Sequence, residues 1–348
     1  LEDTTLPQKF IELSLRSIKN IQNNPATLYQ PYETLTEESA LNPTDDITPV
    51  FQGQTTLKPR SIQLKPQPTP TPVIAIDVSS IKIGETNAGI LLALRAATVW
   101  KQNSSGYRYL RFGPFPFHIT DENKHEIYHL FRQTSQTAQH NHTNRQHTNT
   151  NTILSLHNIN SNNCSVGTPS LIQMQTRMTT LLERWLQTQI AAQSHSSLIL
   201  LDGSLTAGTY DTPTTSLTQL LDTAHNNHNT VLAFTKVSRL RINGHHLTDL
   251  INKAKPPSLL QIDGYPTTAT AIAYTHIHFL GNIYVAKLSP SPYSFRLDID
   301  NRIPPDQAID SVEHLLGNDL VLDGYPETLR LAHIYSTFTA NEVIAIQR

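Results

Sequence analysis

The sequence predicts an α/β fold in which helices flank a mixed sheet. Residues 198–205 read Leu-Ile-Leu-Leu-Asp-Gly-Ser-Leu, a short apolar run that ends at a turn and is typical of a strand buried on both faces. Residues 73–80 repeat this design, and residues 230–235 form another apolar run after a helical segment. This strand-helix-strand order favours parallel pairing with a right-handed crossover.

Each of the first two runs ends near an aspartate, Asp77 in one and Asp202 in the other. The carboxyl ends of strands in an open α/β sheet are the usual place for chemistry. Two such carboxylates with few basic residues nearby suggest a hard divalent cation held by oxygen ligands. Either aspartate taken alone could equally well cap a turn.

The N-terminal part, residues 1–72, is predicted to form a helix and an extended lead-in to the main domain at 73–348. Apolar residues at helical spacing predict a helix over residues 6–21. Residues 29–72 are rich in Pro, Thr and Gln and end in alternating prolines, which disfavour helix. Because the chain begins at Leu1 and not at Met, we expect a truncated chain or a fragment.

Within the main domain, residues 73–80, 88–100 and 107–117 predict three successive strands, which together form a meander. A polar tract of Thr, Asn, Gln and His follows at about 133–163. Its histidines, His140, His142 and His147, invite a metal-binding interpretation. We favour a solvated, poorly ordered insertion, because the tract is too polar to bury a core.

The next elements are predicted from apolar spacing. Residues 170–193 carry apolar side chains at helical intervals, with Glu183 beside the apolar stripe, and this helix leads into the Asp202 strand. Residues 271–288 suggest a hairpin with its turn at Gly281-Asn282. Further elements are a helix at 216–226, a strand at 295–299, a helix at 304–316 and a C-terminal helix that carries His333.

Composition excludes several classes of protein. The formal net charge of the 348 residues is -2, so no global positive field indicates a nucleic-acid partner, and such a contact would need a local groove. Cys164 is the only cysteine, which excludes an intrachain disulfide and fits a cytoplasmic protein. No apolar run approaches the roughly 20 residues of a membrane span, and no signal-peptide pattern opens the chain.

Six residues are candidates for a catalytic site: Asp77, Glu183, Asp202, Lys236, Tyr325 and His333. Three carboxylates from two strands and a helix suit one or two Mg²⁺ or Mn²⁺ ions. Lys236 could contact a phosphate oxygen, and His333 could serve as a ligand or a proton-transfer group. Taken singly, however, a helical glutamate such as Glu183, a lysine after a strand such as Lys236 and a helical histidine such as His333 are each more often solvated or structural.

The order and context of these residues resemble those of the NurA family of nucleases. The resemblance covers about residue 73 to the C-terminus and is interrupted by the polar tract. The matching segments are Ile76-Asp77-Val78-Ser79-Ser80, Glu183, Leu201-Asp202-Gly203-Ser204-Leu205, Lys236-Val237-Ser238-Arg239, Tyr284-Val285-Ala286-Lys287-Leu288, Phe295-Arg296-Leu297, and Gly324-Tyr325-Pro326 followed by His333.

The resemblance implies a ribonuclease-H-like core and a DNA nuclease that uses Mn²⁺ or Mg²⁺, with two ions expected. It implies that Asp77, Glu183 and Asp202 are metal ligands, that His333 completes the site, and that Lys236 and Tyr325 line it. It also implies a homodimer that processes single- and double-stranded DNA ends with a HerA-type hexameric ATPase. The chain departs from the family in having Val78 where Gly is common, in its long polar tract, and in lacking a strongly basic groove.

Two other functions are compatible with the same residues. One is a catalytically inactive assembly subunit that guides DNA to such a translocase, which would not need to bind Mn²⁺ at the carboxylates. The other is a ribonuclease-H-like nuclease that acts on RNA or on RNA–DNA hybrids. Metal titration separates the first from an active nuclease, and a comparison of substrates separates the second.

Overall fold

A large mixed sheet organises the structure. The computed structural model describes residues 5–19, 21, 26–30, 50–51, 59–102, 106–137, 168–208, 212–238, 240–242, 245–251, 253–262 and 278–348. Within these residues ten strands form one sheet, and helices pack on both of its faces. The predicted α/β class, with a mixed sheet flanked by helices, is confirmed.

The strands of this sheet are, in chain order, β1 (Ala26–Leu28), β2 (Pro59–Gln63), β3 (Val73–Thr86), β4 (Gly89–Lys101), β5 (Arg108–Thr120), β6 (Leu198–Asp202), β7 (Thr230–Thr235), β8 (Ser258–Ile262), β9 (Gly281–Lys287) and β10 (Phe295–Asp300). Their spatial order is β2-β8-β9-β10-β7-β6-β3-β4-β5, and β1 also pairs with β3. Strands β3, β4 and β5 form the predicted antiparallel meander, whereas β3, β6 and β7 are parallel. This arrangement of five strands is that of a ribonuclease-H-like core.

The helices are α1 (Thr5–Lys19), α2 (Lys124–Thr137), α3 (Leu171–Gln193), α4 (Thr214–Asn226), α5 (Pro305–Asn318), α6 (Glu327–Ser336) and α7 (Ala340–Gln347). A 3₁₀ helix spans Leu247–Ile251. Short paired strands occur at Val50–Phe51, Thr206–Ala207, Arg241–Ile242, His245–His246, His278–Phe279, Val321–Leu322 and Tyr325–Pro326. Nowhere in the described ranges is there a helix with the length and apolar character needed to span a membrane.

Most of the predicted helices are present, and α2 was not predicted. Helix α2 extends through residues 133–137, the first part of the predicted polar insertion. The rest of that tract, including His140, His142 and His147, lies outside the described residues. The domain boundary predicted at residue 73 stays a prediction.

The core forms on both faces because side chains alternate along the central strands. On β6, Leu198 and Leu200 pack with residues of α5 and α6, while Ile199 and Leu201 pack with residues of α4. Such continuous burial is what the unbroken apolar run of β6 indicates.

Two details of the predicted strands are wrong. Gly281 and Asn282 do not form a hairpin turn, because both lie inside β9, where they pair with β10. The short strand His278–Phe279 pairs instead with Thr206–Ala207. Strand β3 also continues well past residue 80, since its second half pairs with β4 as far as Thr86.

A buried arginine fastens the C-terminal helices to the sheet. Arg95 of β4 is only 3 % exposed, and its guanidinium donates to the Thr337 carbonyl oxygen at 3.0 Å and lies 3.0 Å from a Glu342 carboxylate oxygen. It also lies 4.4 Å from the centroid of the Phe338 ring. Burial acts to raise the pKa of Glu342. Hydrogen bonds from Arg95 and from Thr339, the residue that caps the N-terminus of α7, outweigh burial and lower this pKa to about 2.

We expect Arg95→Met to lower the free energy of unfolding by about 1–3 kcal/mol near neutral pH, because it removes a buried charged hydrogen bond. A carboxyl group whose pKa is depressed on folding stabilises the fold above its unfolded pKa of 4.5, and this stability is lost as the pH falls towards about 2. The difference in the free energy of unfolding between the parent and Arg95→Met should therefore shrink as the pH falls from 4.5 towards 2. Urea unfolding at several pH values measures it. The exposed Arg108→Met is the control, expected within about 0.5 kcal/mol of the parent.

Candidate active site

Asp77 and Asp202 lie side by side on the two central parallel strands. The register pairs Ile76 of β3 with Leu201 of β6, so the next residue of each strand, an aspartate in both, stands at the same level of the sheet. Strand β6 ends here, whereas β3 continues to Thr86. The two carboxylates thus meet where the parallel pairing stops.

The turn after Asp202 is tied to the neighbouring strand β7. Gly203 has a φ of +130°, a conformation that favours glycine. Its N–H donates to the Phe234 carbonyl oxygen at 2.8 Å, and its own carbonyl oxygen accepts from the Thr235 hydroxyl at 2.8 Å. The backbone that carries Asp202 is therefore held on both sides of the turn.

Glu183 is presented by the long helix α3. The apolar stripe of that helix, including Met178 and Leu182, is buried against the sheet. Glu183 is only partly buried, and one of its carboxylate oxygens accepts from Gln187 Nε2 at 2.8 Å. Gln187 Oε1 in turn accepts from Arg184 Nη1 at 2.8 Å. This chain of hydrogen bonds orients the Glu183 side chain along the helix.

Lys236 joins Asp202 to Tyr325. Its ammonium Nζ donates to Asp202 Oδ2 at 2.6 Å and lies 5.3 Å from the centroid of the Tyr325 ring. The Tyr325 hydroxyl is buried and has no hydrogen-bond partner of ordinary geometry. Burial is the main cause that raises the pKa of Tyr325, followed by the negative charge of Asp202, so this hydroxyl stays protonated. Arg239, the last residue of the motif that begins with Lys236, lies outside the described residues.

Helix α6 brings two side chains to Asp77. His333 Nδ1 lies 3.4 Å from Asp77 Oδ2, and the Ser336 hydroxyl donates to the same oxygen. Ser336 Oγ also lies 2.9 Å from Ser79 Oγ. Sequence reasoning assigned no role to Ser336, although its position three residues after His333 places both on one face of a helix.

Burial and neighbouring negative charges raise the pKa values of two of the three carboxyl groups. The pKa of Glu183 is raised to about 8, first by burial and then by the negative charges of Asp77 and Asp202, with Arg184 opposing. The pKa of Asp202 is also raised, first by burial and then by Asp77, while Lys236 acts in the opposite direction. Burial and the neighbouring aspartates thus disfavour the charged form of Glu183 in the metal-free protein.

Asp77 and His333 shift one another's pKa in the directions expected of an ion pair. Burial acts to raise the pKa of Asp77, but His333, Ser336 and Lys236 together lower it below its usual value. The pKa of His333 is raised mainly by its hydrogen bond to Asp77, against burial. Asp77 is therefore ionised at neutral pH, and its contact favours the protonated imidazole.

The structure brings the six candidate residues into one neighbourhood through direct contacts or mutual electrostatic effects. Asp77 contacts His333, and Lys236 contacts both Asp202 and Tyr325. Glu183 belongs to the group through its electrostatic coupling to the two aspartates. Their catalytic and metal-binding roles stay predictions.

The donor set suits a hard divalent cation. Carboxylate oxygens are the ligands that Mn²⁺ and Mg²⁺ prefer, and a bound cation would favour the ionised form of Glu183, which burial and the two aspartates disfavour. Within the described ranges, no three His, Cys, Asp or Glu side chains stand close enough together to hold an ion as they are placed. Binding would require side-chain movement, such as the release of Asp202 by Lys236.

Comparison of the chain with models of protein families gives no match, and comparison with curated protein sequences gives none either. Among solved structures it is similar to the NurA nuclease from Sulfolobus solfataricus. The match has a TM-score of 0.41 and 13% sequence identity, and it covers 98% of this chain and 94% of that chain. Membership of the family stays a prediction from the sequence motifs.

Proposed function

We propose that this protein is a metal-dependent nuclease that hydrolyses phosphodiester bonds at DNA ends. The observation that carries the proposal is the group formed by Asp77, Glu183 and Asp202. Asp77 and Asp202 stand at the same level of neighbouring strands, Asp77 raises the pKa of both other carboxyl groups, and Asp202 raises that of Glu183. Such crowding of negative charge is costly and is typical of functional sites. The order of these residues along the chain supports the same conclusion through its resemblance to the NurA family.

Asp77, Glu183 and Asp202 would hold Mn²⁺ or Mg²⁺, and two ions are proposed. A bound ion of this kind supplies an activated water and stabilises the negative charge that develops on the phosphate. Glu183 must lose its proton before it can act as a ligand, because its pKa is about 8 without metal.

The other side chains are placed to handle charge and protons. Lys236 can exchange its contact with Asp202 for one with a phosphate oxygen, and the neutral Tyr325 hydroxyl can donate a hydrogen bond there. The contact with Asp77 supports a proton-transfer role for His333, in which the protonated imidazole donates its proton to the leaving oxygen. A ligand role for His333 would require the neutral ring.

The resemblance also supports a homodimer that works with a HerA-type hexameric ATPase. Two subunits related by symmetry could enclose a DNA strand between them. Light scattering of the protein alone tests the homodimer, and light scattering of the protein mixed with such an ATPase tests the complex between them. A monomer under both conditions, with no larger complex, would contradict this part of the proposal.

Cleavage of several substrates tests the function itself. We expect the protein to release nucleotides from linear single- and double-stranded DNA with Mn²⁺, and to do so faster with the translocase present. Preference for RNA or an RNA–DNA hybrid would instead indicate a ribonuclease. No cleavage of any substrate, together with no Mn²⁺ binding by titration calorimetry, would favour the alternative function, a catalytically inactive subunit that guides DNA.

A further inference from the structure

The edge strand β5 and helix α6 together form an aromatic and basic cluster. The Tyr109 ring of β5 stacks on the Tyr335 ring of α6, with centroids 4.0 Å apart and planes 17° apart. The Arg111 guanidinium lies 5.6 Å from the centroid of the Tyr335 ring. We call Tyr109, Arg111 and Tyr335 the edge patch.

The edge patch lies on the same face of the sheet as the candidate active site. Asp77 of β3 pairs with Ala97 of β4, and Ala97 pairs with Arg111 of β5. These three residues thus form one row across the sheet, and two strand spacings separate its ends by roughly 10 Å. Tyr335 is also the direct neighbour of Ser336, which contacts Asp77.

The patch is accessible within the part of the chain that the structure describes. Tyr109 exposes 52 % of its surface, and β5 has no further strand on its outer side there. Arg111 is 38 % exposed, and its guanidinium lies 3.5 Å from a Glu342 carboxylate oxygen that is shared with the buried Arg95, at 3.0 Å. Arg111 therefore retains the capacity to contact an anion.

We propose that the edge patch binds the single-stranded part of the nucleic-acid substrate, with a base stacked on Tyr109 and a phosphate on Arg111. An exposed aromatic ring next to a basic side chain is the combination that single-strand-binding proteins use. The patch would guide a strand across the end of α6 towards Asp77. This inference rests on the proposed nuclease function and adds positioning residues to it.

Binding of a fluorescein-labelled oligothymidylate, measured by anisotropy without divalent metal, tests the inference. We expect Tyr109→Ala to weaken binding about tenfold, the effect of losing one stacked base, and Tyr109→Trp to retain it. Arg111→Gln should reduce the slope of log K against log salt by about 0.7, the value for one phosphate contact on a single strand. In cleavage assays Tyr109→Ala should raise KM with kcat unchanged, because the patch is remote from the reacting phosphate.

Leu110→Ala is the matched control, because Leu110 is 64 % exposed and points to the opposite face of the same strand. Thermal melting checks that every variant folds. If the parent cleaves DNA and Tyr109→Ala binds and cleaves like Leu110→Ala, the patch inference is overturned while the proposed function stands. If Tyr109→Ala changes only the oligomeric state in light scattering, the patch is an interface between copies of the chain and the inference is overturned. A parent that neither binds nor cleaves overturns both.

Discussion

Asp202→Asn is expected to cut DNA more than about 100-fold more slowly than the parent, because loss of a metal ligand should exceed the 10–100-fold cost typical of outer-shell residues. The variant should nevertheless keep its fold. The pKa of Asp202 is raised mainly by burial, so its ionised form costs free energy in the metal-free protein. An uncharged isostere removes that cost, and its melting temperature should equal or exceed that of the parent.

Nucleotide release from linear DNA with Mn²⁺ measures the effect, with the parent and variant side by side and each with and without the translocase. Asp310→Asn on α5 is the matched control, because it makes the same chemical change at an exposed carboxylate of the same type. Retention of full activity by Asp202→Asn would remove this residue from the catalytic site. Loss of activity together with a large fall in melting temperature would show instead that Asp202 supports the fold.

Glu183→Gln is expected to stabilise the metal-free protein at alkaline pH while it abolishes Mn²⁺-dependent cleavage. Folding raises the pKa of Glu183 from 4.5 to about 8, so the folded state favours the protonated carboxyl group. The resulting contribution to the free energy of unfolding is fully present below about pH 4.5 and is lost as the pH rises through about 8. Glutamine has no proton to lose. The variant should therefore melt about 2 °C or more above the parent near pH 8 in EDTA, and the two should converge near pH 4.5.

Added Mn²⁺ should reverse the difference in melting temperature between Glu183→Gln and the parent. Mn²⁺ that binds the folded parent raises its melting temperature, whereas Glu183→Gln lacks one ligand and should respond less. The exposed Glu122→Gln is the control and should follow the parent with and without Mn²⁺. If Glu183→Gln melts below the parent at every pH, the carboxylate is needed for folding, and the assignment as a strained metal ligand fails.

Local patterns in the sequence determined the central elements of this protein. The apolar runs that become β3, β6 and β7 predict buried strands because a strand covered on both faces needs apolar side chains at consecutive positions. The apolar spacing of α3 predicts the helix that presents Glu183. Neighbouring strands and one helix were therefore enough to suggest that Asp77, Glu183 and Asp202 come together.

Only the tertiary structure decided which groups surround these carboxylates. Ser336 donates to Asp77 although 259 residues separate them along the chain, and no local periodicity reports such a contact. The same holds for the stacking of Tyr109 on Tyr335, which depends on how α6 crosses the sheet. Gly281-Asn282 resembled a turn because of its composition, but pairing with β10 overrides that local preference. Sequence periodicity records which face of an element is buried, whereas the packing of distant elements determines what lies against that face.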